Sequence, residues 1–420
     1  MFLNIKEQYL KITYYLLLLL PVCMVFSRAA ADFIVVFIAI FFIFNIRDNI
    51  SLLKNKFVFY FLLFYGWVSV VTFFYAGIDI NSLKSISYLR FLLFLLGSYI
   101  IFQDKKKFKL FLMMIIFVVS FVEIDILIQF LFGKNIFGFS QKGVRLSGVF
   151  GEELIAGSFI NKFFPLCVFL LHYLINNFRF KNYIIVVYIF LSLSIVFLTG
   201  ERSAFFMSFF SLIFYFLYLQ NIKKIFLVSI LIFIISLISF LSFNQNYFNR
   251  YVKQNFIQFG LQFENKKNSI EDSHYFRLWY TAVDDFLNKP YFGYGLNYQK
   301  KSCDSSALNP SYFLNLNVKK TKCVHPHNYY LDIITTSGII GLFLFILFIR
   351  SIFKHFDFLT QGSKLTENFN LISKGAAISI ALFFWPIQTT GSFFNNLNSI
   401  FLFTLILVFF VSKQENRVKS

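Results

Sequence analysis

The sequence predicts an all-α polytopic membrane protein with about twelve transmembrane helices and one large loop outside the membrane. Three observations carry this. Of the 420 residues, 58% are apolar and 14% are charged, a balance foreign to soluble domains. Apolar runs near twenty residues, long enough to cross a hydrocarbon core of roughly 30 Å, recur along the whole chain. Lys and Arg gather in alternate connections between these runs, as cytoplasmic loops do under the positive-inside rule.

The runs lie near 12–27, 30–46, 57–76, 83–102, 110–132, 153–176, 182–199, 203–220, 225–243, 328–349, 371–390 and 397–412. With the N-terminus inside, every inner segment is basic, most densely Lys105, Lys106, Lys107 and Lys109. The short outer loops hold little besides Arg28, Lys134, Lys142, Arg145 and Arg202. Both termini are therefore expected in the cytoplasm. Ala29-Ala30-Ala31 looks like a signal-peptidase site, but a second apolar run follows at once, which argues for retention. The net charge of +19 invites a nucleic-acid reading. In a membrane protein the placement of charge matters more than its sum, and the 66 phenylalanines fit a composition bias better than a base-stacking platform. No nucleic-acid partner is expected.

The chain divides into residues 1–243 with nine spans, a soluble segment 244–326, and residues 327–420 with three spans. The segment 244–326 holds eleven Lys and Arg against six acids. Its topology places it in the periplasm, and a basic outer loop points to an anionic ligand, although long loops also translocate regardless of charge. Within it, Ser273 to Lys289 reads as an amphipathic helix, capped by Asp272 or Ser273 and ended by Pro290, Gly293 and Gly295. Phe276, Trp279, Tyr280, Val283, Phe286 and Leu287 form the apolar face, with Arg277, Thr281, Asp284 and Asn288 opposite. Cys303 and Cys323 share this loop, in a compartment where disulfides persist, and are a candidate pair. No spacing of a metal site occurs, so no metal and no cofactor is expected.

The tenth span opens with His325-Pro326-His327-Asn328-Tyr329-Tyr330-Leu331-Asp332. The His327-Asn328 pair is followed, nine residues on, by Gly338-x-x-Gly341. Leu198-Thr199-Gly200-Glu201-Arg202-Ser203-Ala204 forms a tight outer turn. Arg277-Leu278-Trp279, Pro290-Tyr291-Phe292-Gly293-Tyr294-Gly295 and Arg145-Leu146-Ser147-Gly148-Val149-Phe150 complete the set. In these motifs, over roughly residues 140–345, the chain resembles the O-antigen ligase and polymerase superfamily. The resemblance implies a C-type membrane glycosyltransferase fold and a polyprenyl-pyrophosphate-linked glycan as donor. It also implies that His327 activates the acceptor hydroxyl while arginines hold the leaving pyrophosphate.

The residue chemistry agrees. Guanidinium forks suit phosphate oxygens bidentately, which makes Arg202, Arg277 and Arg145 the donor candidates. Arg202 could instead be an interfacial anchor, Arg277 part of a solvated helix face, and Arg145 plain loop charge. Imidazole is neutral near pH 7 and can take a proton, so His327 is the catalytic candidate and His325 a second one. Asn328 and Asp332, four apart on one helical face, are expected to orient the acceptor. Gly338 and Gly341 read as close helix packing. Arg90 lies at a depth similar to Glu123 and Asp125 and is expected to pair with one of them. Lys162 and Glu153, in the sixth run, remain open between structure and function.

The expected activity is metal-independent, inverting transfer of glycan from polyprenyl-pyrophosphate to a lipid A-core acceptor at the periplasmic face of the bacterial inner membrane. Polymerisation of carrier-linked repeat units is the alternative. A flippase would also explain the spans, but it needs neither the basic loop nor an arginine and histidine set on one side.

Overall fold

The computed structural model describes residues 2–218, 223–258, 274–298, 325–360 and 367–414. The helices are α1 (Phe2–Phe26), α2 (Arg28–Phe44), α3 (Lys56–Ala76), α4 (Ile80–Ser87), α5 (Leu89–Ile101), α6 (Lys105–Phe132), α7 (Ala156–Leu174), α8 (Lys181–Leu198), α9 (Arg202–Phe210), α10 (Leu212–Tyr218), α11 (Lys223–Phe243), α12 (His274–Asn288), α13 (Tyr329–Thr360), α14 (Glu367–Phe383) and α15 (Asn396–Gln414). Among the described residues, nine helices are long and apolar enough to cross a membrane. A tenth results if α2 is joined to its bent continuation, Arg47–Leu53. Two shorter apolar helices, Arg202–Leu217 and Leu371–Phe383, stand where the eighth and eleventh runs were expected. The protein is an all-α, multi-pass membrane protein.

The run expected over 371–390 is helical only to Phe383. Pro386 accounts for this, since the residue before a proline is pushed out of the α region. The remainder, 384–395, becomes a loop that enters the site below.

Lipid is as apolar as leucine, so helix association rests on packing and on hydrogen bonds between helices. Phe61 and Phe64 of α3 meet Phe348 of α13, and Phe61 also meets Phe403 of α15, with ring centroids 5.7–6.2 Å apart. Tyr88 Oη and Ser399 Oγ lie 3.0 Å apart. Ser379 of α14 accepts from the Leu166 amide of α7, beside the Pro165 interruption.

Arg90 pairs with Asp32 at 3.0 Å and with Ser87, not with Glu123 or Asp125. Depth along a helix was legible, but which neighbour faces it was not. Asp125 and Gln129, one turn apart on α6, instead organise the loop beyond it. Asp125 accepts from Asn135 Nδ2 and the Ile136 amide. Gln129 accepts from the Gly148 amide and donates to the Phe139 carbonyl. Glu153 pairs with Arg28. The loops read as outer thus touch one another at one end of the bundle.

The Pro290–Gly295 segment docks on a break in α13 at Gly338, where φ is +67°. Tyr294 and Gly295 amides donate to the carbonyls of Thr335 and Thr336, and the Ile339 amide donates to the Pro290 carbonyl. Trp67 Nε1 donates to the Ser337 carbonyl at 2.9 Å. Backbone groups orphaned by a broken span are costly in lipid, and here these partners come from elsewhere in the chain. Gly338 is therefore a helix break rather than a simple packing glycine. A Cβ there would run into Tyr291 backbone atoms.

Candidate active site

His327 stands just outside the start of α13, in a left-handed backbone conformation, φ +52°. A non-glycine residue adopts this at a cost of order 1–3 kcal/mol, met by surrounding structure. Three contacts fix it. The His327 amide donates to His325 Nδ1 at 2.8 Å. The Thr390 amide donates to the His327 carbonyl at 2.7 Å. The His327 ring Nδ1 lies 3.1 Å from the Thr390 carbonyl.

A carbonyl only accepts, so His327 Nδ1 carries the proton and Nε2 keeps its lone pair. Nε2 has no protein partner among the described residues. Burial, and then the neighbouring His325, push the His327 pKa below its ordinary value. The ring is therefore neutral near pH 7 and built to accept a proton through Nε2.

Asn328 caps α13. Its Oδ1 accepts from the Tyr330 and Leu331 amides, and its Nδ2 donates to the Pro386 carbonyl. Asp332, 3% exposed, accepts from Ser392 Oγ and the Phe393 amide. His325 Nε2 lies 3.1 Å from Asp332 Oδ2, at ion-pair distance but outside hydrogen-bond alignment. Asn328, Asp332 and His325 thus hold the 384–395 loop and the His327 backbone in place.

The turn Thr199–Arg202 forms the opposite wall. Glu201 accepts from the Gly157 and Ser158 amides and from Ser158 Oγ, so its carboxylate caps the start of α7. Arg202 Nη1 donates to Asn255 Oδ1 at 2.7 Å. Arg145 Nη2 donates to the Leu154 carbonyl, and its Nε is buried without a partner among the described residues.

A residue missed at the sequence level joins them. Arg250, on a π-helical turn over Asn249–Lys253, donates from Nε to the Gly200 carbonyl at 3.0 Å. Tyr247 and Tyr251 hydroxyls donate to Leu198 and Phe197 carbonyls, filling acceptors that a helix end leaves open. Its signal was Tyr247-x-x-Arg250-Tyr251, an aromatic face at helical spacing just after the ninth run. Burial, and then Arg145, push the Arg250 pKa down, and Arg202 lies within electrostatic reach of both. Three guanidinium groups crowd one wall.

Tyr275 of α12 bridges the two walls. It lies within electrostatic reach of Arg202 and Arg250, and its ring stands 6.4 Å from that of His327. Arg277, two residues on, is half-buried, with Nε unpartnered among the described residues. It is not among the charges acting on Arg202 or Arg250. The helix around it, His274–Asn288, matches the expected Ser273–Lys289, with Tyr280 buried and Asn288 exposed as expected, but two positions depart from the expected faces. Val283 is exposed, whereas Asp284 is fully buried. Cys303 and Cys323 lie outside the described residues, as do the expected caps Asp272 and Ser273.

A neutral imidazole faces a guanidinium cluster across a tyrosine, at one end of a membrane bundle. That arrangement can take a proton from a hydroxyl and hold a di-anionic leaving group. A comparison with curated proteins finds no match. Residues 187–346 match the family model described as O-Antigen ligase. That stretch runs from within α8 past the break in α13, spans Arg202, Arg250, Arg277, His325, His327, Asn328 and Asp332, and makes the chain similar to the O-antigen ligases over those residues.

Proposed function

We propose that this chain transfers glycan from a polyprenyl-pyrophosphate carrier to a lipid A-core acceptor. The active site faces the periplasm and both termini lie in the cytoplasm of a bacterial inner-membrane protein. The observation that carries the reading is His327, with Nδ1 tied to Thr390 and Nε2 open beside the arginine wall. The acceptor oxygen attacks the anomeric carbon while its proton passes to His327 Nε2. The bond from that carbon to the pyrophosphate breaks, and its electron pair leaves with the carrier. Arg202, Arg250, Arg145 and Arg277 meet the charge of that leaving group. Attack from the side opposite the leaving group inverts the anomeric centre, and guanidinium charge makes a metal unnecessary in this reading.

Complementation tests it. Wild type and His327→Ala are expressed in cells lacking either their O-antigen ligase or their O-antigen polymerase, and the lipopolysaccharide ladder is compared on a gel. Core-attached glycan restored in the ligase deletion by wild type alone is the expected result. Restoration of chain length in the polymerase deletion transfers the proposal to polymerisation. Equal rescue by His327→Ala removes the catalytic assignment.

A further inference from the structure

Between the two walls a cavity of about 70 Å³ opens into the bundle, well above what one water needs. Ser158, Asn161 and Lys162 of α7 line it, with Ser203 of α9, Tyr329 of α13 and the Gln388–Gly391 strip. Ser203 follows Arg202, and Thr390 is the residue that holds the His327 ring. The cavity therefore borders the neighbours of His327 and Arg202, and under the transfer reading it is open to the sugars being joined.

Lys162 is the residue without an account. It sits within a membrane helix, and among the described residues it makes no ion pair or hydrogen bond. Its Nζ rests 5.5 Å from the Phe401 ring centre and 5.8 Å from that of Phe383. Glu201 acts on it from a distance, but that carboxylate is already engaged with Gly157 and Ser158. Pro165 contributes to the opening, because it lacks the N–H that would donate to the Asn161 carbonyl. Thr390 Oγ1, on the facing wall, is buried and unpartnered among the described residues. An ammonium in a span is costly and is ordinarily paired, so a ligand that brings the counter-charge would account for its retention.

Building on the transfer reading, we infer that this cavity is a sugar subsite that selects a glycan residue bearing an acidic substituent, with Lys162 as its specificity determinant. The substituent is a carboxylate or a phosphate, which share the chemistry that an ammonium recognises. It is distinct from the carrier's pyrophosphate, which falls to the arginines.

The test melts the purified full-length protein in detergent with free galacturonate, galactose 6-phosphate, galactose or inorganic pyrophosphate. Galacturonate, galactose 6-phosphate or both should raise Tm and galactose should not, and whichever acts identifies the carboxylate or phosphate source. Lys162→Met should abolish that rise, weakening apparent affinity about tenfold to a hundredfold, while its own Tm stays level or increases. Pyrophosphate should still stabilise Lys162→Met but not Arg250→Ala. The inference is overturned by no rise with either acidic sugar, by an equal rise with galactose, or by a rise that survives Lys162→Met. Failure of transfer in complementation hosts whose own O-antigen unit carries an acidic sugar, with acidic-sugar binding intact, would overturn the transferase reading and leave the acidic-sugar subsite standing.

Discussion

At the scale of single residues, the site is defined by what each polar atom has left after its structural duties. His327 spends its amide, carbonyl and Nδ1 on His325 and Thr390, so Nε2 alone is available. His327→Ala should lower the transfer rate by about 10²–10⁴-fold, the range of general base catalysis. Because burial and His325 hold the ring's pKa below its ordinary value, the base stays deprotonated to lower pH than a free imidazole would. The rate should fall on acidification, with the midpoint displaced to the acid side of about 6.5. Initial rates across pH on reconstituted protein check this, and a midpoint on the alkaline side would contradict it. Arg250→Ala should reduce transfer about tenfold to a hundredfold, the range of a charged hydrogen bond. Arg250→Lys should recover little, since a point charge cannot both bond the Gly200 carbonyl and offer a fork to phosphate. His327 and Arg202 were legible as motif residues. Arg250 was not, because nothing in sequence says that the segment after α11 folds back onto the end of α8.

At the scale of elements, the break in α13 does what a continuous span could not. It presents Thr335 and Thr336 carbonyls to the 290–295 segment, which brings a distant loop against the helix that begins just after His327. The spacing from His327 to Gly338 was readable, but its meaning was not. A glycine inside an apolar run suggests packing until the segment that occupies the break is seen. Gly338→Ala meets two costs, about 1–2 kcal/mol for a left-handed alanine and a further cost of about 1–3 kcal/mol for displacing Tyr291. The expected result is a clear fall in Tm together with loss of transfer. Gly66→Ala in α3, where an added Cβ meets nothing within 4 Å, should leave both unchanged or raise Tm slightly. Equal destabilisation by the two substitutions would show that the break has no special role. The unexpected burial of Asp284 in α12 has a related cause. The helical spacing of apolar residues says which side prefers apolar contact, not which side a polar site will claim, and Asp284 is buried on the side that looked solvated.

At the scale of the whole molecule, lysine and arginine placement is the basis for the proposed orientation of the site. The loops joining α6 to α7, α8 to α9 and α14 to α15 all reach that end through contacts such as Leu146 to Thr199 and His327 to Thr390. The opposite connections carry Lys105, Lys106, Lys107, Lys109, Arg179 and Lys181. The positive-inside rule keeps a basic loop on the cytoplasmic side during insertion, and this supports the proposed periplasmic placement of the site end. The segment 244–326, although basic, is not decisive, because long loops translocate largely regardless of charge. Fusions separate the possibilities. Alkaline phosphatase, active only outside the cytoplasm, should be active when joined after Ile136 or Tyr298 and inactive after Lys107 or at Ser420. A fluorescent protein that folds only in the cytoplasm should give the reverse pattern. Phosphatase activity after Lys107 would turn the bundle over and deliver His327 and the arginines to the cytoplasm. There a periplasmic acceptor could not reach them, so this outcome would exclude the proposed reaction even if the geometry of the site were right.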